Sequence, residues 1–82
     1  MRRRAPQCDL GASLRKRFAQ NVRRLRRERG MTQAQLAQAA DIGRPFISRI
    51  ETGRFSVTLE TIGALAKALR ASPSDLIESY AA

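Results

Sequence analysis

Arg44, Pro45, Ser48 and Arg49 in the stretch DIGRPFISRIE (residues 41–51) share one side of a helix, since positions i, i+1, i+4 and i+5 lie together. Ile47, Ile50 and Phe46 can pack the other side. A guanidinium carries five N–H donors in a planar fork, which matches the O6 and N7 acceptors of guanine or the oxygens of a phosphate. Apolar side in and cationic side out is the pattern of a short helix fixed to a body and aimed at an anion. The chain offers no rival chemistry. It has no His, one Cys (Cys8) and no carboxylate pair with a cleft to serve, so neither a catalytic constellation nor a metal site can be assembled. No cofactor is expected, and an enzyme is not.

The elements that must position this helix are legible as periodic segments. Residues 1–12, MRRRAPQCDLGA, read as a basic N-terminal arm, although Leu10 and Leu14 could extend the first helix backwards. The first helix is expected over residues 13–29, with Leu14, Phe18, Val22 and Leu25 as its apolar stripe and Gly30 as its C′ residue. Thr32-Gln33-Ala34-Gln35 forms a capping box that opens a second helix, with Leu36, Ala37 and Ala40 inward and an end at Asp41. The third helix spans residues 44–52, carries Pro45 in its first turn at little cost, and stops at Gly53. Thr58 caps a fourth helix, with Leu59, Ile62, Leu65, Ala66 and Leu69 as its stripe. Ser72-Pro73-Ser74-Asp75 opens a short fifth, followed by Leu76, Ile77 and Tyr80. The fold class is all-α: one compact five-helix domain over residues 13–82 behind the arm.

Composition agrees with that architecture and narrows the partner. A chain of 82 residues with 43% hydrophobic residues and no Trp builds a small core of Leu, Ile, Val and Ala. The formal net charge is +9, which suits a polyanion. It is unevenly placed: residues 1–29 hold 11 of the 16 Lys and Arg against Asp9 and Glu28, whereas residues 55–82 are nearly balanced. A single Cys cannot form an internal disulfide, which fits a reducing cytoplasm. No run of apolar residues approaches a membrane span.

Two short helices joined by a three-residue turn make a helix-turn-helix. With Gln33 as the first position, Ala37 is the fifth, where two helices approach closely and only a small side chain fits. Ile47 and Ile50 are the fifteenth and eighteenth, and anchor the third helix. Its outer face is then free to enter a DNA major groove.

RRLRRERGMTQAQLAQAADIGRPFISRIETGR, followed by LETIGALAKAL, resembles the Cro/lambda-repressor-type (XRE-like) helix-turn-helix family. The likeness covers about residues 14–78. It implies a five-helix DNA-binding fold that binds double-stranded, near-palindromic operators as a homodimer and regulates transcription. By position, it implies that Arg44, Pro45, Ser48 and Arg49 read bases or nearby phosphates. Gln33, Arg54 and Arg23 would contact the phosphate backbone. Arg26 and Glu51 would form a partly buried ion pair tying the first helix to the third. Leu76, Ile77 and Tyr80, away from the basic end, are the expected dimer surface. Three departures stand out. Asp41 occupies a turn position where the family usually has Gly, Gly43 replaces a Ser or Thr cap, and Phe55-Ser56-Val57 replaces the usual Pro after the turn. Phe55 is expected to pack under the fourth helix rather than touch DNA. The small size leaves no room for a ligand-sensing domain, so no small-molecule ligand is expected, and a phage-type repressor or a restriction–modification controller fits best. The rival is an antitoxin that holds a toxin and autoregulates its operon.

Overall fold

A computed structural model describes the backbone of residues 5–79 and the side chains of residues 10–79. The Arg2–Arg4 cluster and Tyr80 lie outside the described residues. Five helices follow in order: α1 (Ala5–Glu28), α2 (Gln33–Ala40), α3 (Arg44–Glu51), α4 (Leu59–Leu69) and α5 (Pro73–Ile77). No described helix is long and apolar enough to cross a membrane.

Four of the five helices have at least one end set by local capping chemistry. Thr32 Oγ1 accepts from the Gln35 N–H at 3.0 Å while Gln35 Oε1 accepts from the Thr32 N–H at 2.8 Å, closing the capping box of α2. Ser72 and Asp75 repeat the device at α5, and Thr58 Oγ1 caps α4 through the Thr61 N–H. α1, α2 and α4 each end in a Schellman pattern, with Gly30, Asp41 and Arg70 in the left-handed region at φ 67°, 56° and 55°. Asp41 therefore adopts the conformation that the family usually assigns to glycine. Arg70 adopts it too, without the short polar side chain that eases the strain for Asp.

α1 departs from expectation at its start. It begins at Ala5, so residues 5–12 are helix rather than arm. Pro6 sits in the first turn, where its missing N–H is harmless, and Gly11 alone costs only about 1 kcal/mol against strong helix formers on either side. The added turns lie outside the core: Leu10 is 62% exposed, and Leu14 in the turn that follows is still 44% exposed.

The core is built from Phe18, Val22 and Leu25 of α1, Leu36, Ala37 and Ala40 of α2, Ile47 and Ile50 of α3, Leu65, Ala66 and Leu69 of α4, and Leu76 of α5. Leu59, expected on the α4 stripe, is 81% exposed, because the first helical turn precedes the point where the stripe meets the core. Two polar braces complete the packing. Asn21 is buried on α1, and its Nδ2 donates to the carbonyls of Leu76 and Glu78, both at 2.9 Å, holding the end of α5. Arg29 Nε donates to the Leu69 carbonyl at 2.8 Å, satisfying an orphan acceptor at the end of α4.

Candidate nucleic-acid interface

α3 has no room to rotate. Ile47 and Ile50 are buried to within 1% of full burial and key one side of it into the core. Its last residue, Glu51, is a buried carboxylate that gathers donors from two other helices. Arg26 approaches it side-on, with Nε to Oε2 at 2.7 Å and Nη2 to Oε1 at 3.1 Å. Gln33 Nε2 at the start of α2 donates to Oε1 at 3.1 Å. A charge-assisted fork of this kind fixes orientation as well as distance. Arg26 Nη1 also donates to the Met31 carbonyl at 2.8 Å, and Arg23 Nη1 donates to the Glu51 main-chain carbonyl at 2.8 Å. One carboxylate thus joins α1, α2 and α3.

With that side fixed, the opposite side faces solvent. Arg44, Pro45, Ser48 and Arg49 are all exposed. Arg54, just beyond Gly53 at φ 81°, is exposed as well. Among the described residues, Arg44, Arg49 and Arg54 form no ion pair, so each presents an uncompensated cation. Lys16 adds to this edge: its Cα lies only 3.4 Å from where a Cβ on Gly53 would stand, so α1 passes directly behind the α3–α4 turn. Gly43 caps α3 with no side-chain hydrogen bond.

The other positions named from the sequence fall as follows. Gln33 and Arg23 are half-buried and engaged with Glu51, so each braces α3 whatever else it touches. Leu76 is fully buried in its own chain's core and offers no surface to a partner, because α5 must turn one side inward to be held by Asn21. Ile77 is 39% exposed. Phe46 also lies elsewhere than its sequence position suggests. Expected inward with Ile47 and Ile50, it is 47% exposed, since it stands about 100° around the helix from Ile47. Its ring meets Phe55 at a centroid distance of 5.9 Å, and the Arg49 guanidinium carbon lies 5.9 Å from its centre. Phe55 is half-buried against the core, beside the first turn of α4. The Phe46–Arg49 contact has a plain sequence signal, the i, i+3 spacing of an aromatic and an arginine.

A family model described as helix-turn-helix matches residues 22–76, which spans α2, α3 and most of the core. The chain belongs to the helix-turn-helix family of DNA-binding transcriptional regulators. This helix-turn-helix protein is 40% identical over 62 residues to Control protein C.BamHI of Bacillus amyloliquefaciens, covering 74% of the chain and 76% of that relative. It is 36% identical over 58 residues to the immunity repressor protein of Bacillus phage phi105, covering 71% of the chain and only 40% of that longer protein. Among solved structures it resembles the restriction-modification controller protein C.AhdI from Aeromonas hydrophila, with a TM-score of 0.73 and 34% identity over 76% of this chain and 94% of the other.

Proposed function

We propose that the protein is a homodimeric operator-binding regulator of the controller type, which inserts α3 of each protomer into successive major grooves of a near-palindromic site. The observation that carries this reading is the fixed orientation of α3: isoleucines and Glu51 hold one side, and Arg44, Pro45, Ser48 and Arg49 face out, neither arginine in an ion pair among the described residues. In that pose Arg44 and Arg49 reach base edges or adjacent phosphates, Ser48 supplies a hydroxyl, and Pro45, which cannot donate, meets a thymine methyl. Gln33 and the α2 N-terminus face the backbone of one strand, where unpaired N–H groups favour a phosphate. Arg54 contacts the backbone at the far end of α3.

The dimer surface is the apolar groove of about 280 Å³ lined by Leu14, Phe18, Phe55, Val57, Ile62 and Ile77, with exposed Leu59 one turn before Ile62. A controller reading is favoured because C.BamHI, 40% identical, is named a control protein and C.AhdI, 34% identical, a restriction-modification controller. The antitoxin reading finds no support among relatives named as controllers, repressors and regulators. Repression by obstructing polymerase is the default mode, in the cytoplasm where the chromosome lies.

Selection of bound sites from random duplex DNA tests the proposal. A palindrome of half-sites about one helical turn, roughly 34 Å, apart is the expected result. A pool with no enriched motif contradicts it.

A further inference from the structure

We infer that Phe46 is a positioning residue for base reading: it holds the Arg49 guanidinium in place over the groove-facing side of α3, and it is itself held by Phe55. The inference rests on the reading of α3 as the base-reading helix. A large aromatic ring, 47% exposed in the middle of a cationic surface, needs a reason, because burial does not supply one. Three contacts supply it. The ring lies beside the helix start, with Cδ2 only 3.4 Å from where a Cβ on Gly43 would stand. It is tilted at 53° against Phe55 at 5.9 Å between centroids, within the usual range for aromatic pairs. On its remaining side is the Arg49 guanidinium carbon, 5.9 Å from the ring centre and inside the limit for attraction between a cation and a π face.

The chain of support therefore runs from the core to the reader. Phe55 packs on buried residues, Phe46 leans on Phe55, and Arg49 lies over Phe46. An arginine on an exposed helix otherwise samples many rotamers, and ordering it on binding costs affinity. A π face that pre-selects one family of rotamers lowers that cost for one base and raises it for the others. No carboxylate does this for Arg49 among the described residues, so the ring is its sole orienting contact there.

The test compares Phe46→Leu, Arg49→Ala and the double variant in the intact protein, by site selection from random DNA and by affinity for the selected operator. Leucine keeps apolar bulk and removes the π face. Phe46→Leu is expected to flatten the same base position as Arg49→Ala, to weaken operator binding about two- to fivefold, and to have no further effect once Arg49 is alanine. Phe46→Tyr, which keeps the ring, restores the preference. Independent, multiplicative losses in the double variant overturn the inference, as does loss of preference at a different base position, or failure of tyrosine to restore it. If Arg49→Ala itself leaves every position unchanged, the base-reading role of Arg49 fails first and the inference falls with it. Because Phe46 is half exposed, the melting temperature of Phe46→Leu stays within a few degrees of wild type, which separates positioning from a folding defect.

Discussion

Glu51 is the residue on which the geometry of α3 turns. Its carboxylate accepts from Arg26 and Gln33, its carbonyl accepts from Arg23, and it is nearly buried. Removing one partner of such a pair leaves the other charge buried and unanswered, at a cost of about 3–5 kcal/mol. Glu51→Ala is therefore expected to lower stability by that order in urea unfolding, while operator preference of the fraction still folded is retained. A variant as stable as wild type would show that the pair contributes little. The pairing of Arg26 with Glu51 was legible only through family resemblance, since spacing alone does not say which arginine of RRLRRERG reaches which acid. That Arg23 and Arg29 also serve carbonyls was not legible at all. A run of arginines reads as a charged surface, and only the docked helix ends reveal that several satisfy orphan acceptors at the ends of α3 and α4.

At the scale of elements, caps were the most readable features. The capping boxes at Thr32 and Ser72 and the left-handed Gly30 follow from local residue types, because their partners lie within a few residues. Arg70 was not foreseen in the left-handed region, since its sequence neighbourhood contains no glycine to mark the turn. Left-handed geometry costs a residue with a Cβ about 1 kcal/mol or more. Arg70→Gly is thus expected to stabilise the fold by about 1 kcal/mol, raising the melting temperature by roughly 4–8 °C for a domain of this size. A fall in melting temperature would mean that the cation's interaction with the α4 terminus outweighs the strain. The exposure of Leu14 and that of Leu59 share one cause. Periodicity identifies a stripe but does not say how far along it the core extends, and Leu14 and Leu59 both fall beyond its edge. Asn21 escaped because a lone amide within an apolar stripe has no sequence signature; it became meaningful only when α5 was seen to end against it.

For the whole molecule, the charge that matters is the part not engaged internally. A net +9 overstates the cations available to DNA, because Arg23, Arg26 and Arg29 already serve carbonyls or Glu51. Affinity should still fall with salt, by about 0.9 in log–log slope for each phosphate neutralised. Arg54→Ala is expected to reduce that slope by about one unit per protomer and to weaken operator and random DNA alike. Arg29→Ala should lower stability and leave the slope unchanged. Similar slope changes in both would show that Arg29 reaches the backbone. The overall architecture was readable because five apolar stripes, most of them with clear caps, admit few other arrangements, whereas the burial of Leu76 was not, since a five-residue helix is too short to show which side meets the core. Base reading by the outward side of α3 is the proposal on which the function rests. Its most direct test is the ratio of affinities for the selected operator and for random duplex DNA, measured for wild type, Arg44→Ala and Arg49→Ala. Each substitution is predicted to cost about 1–3 kcal/mol on the operator and far less on random DNA, so the ratio collapses. Equal losses on both substrates, leaving the ratio intact, would contradict it.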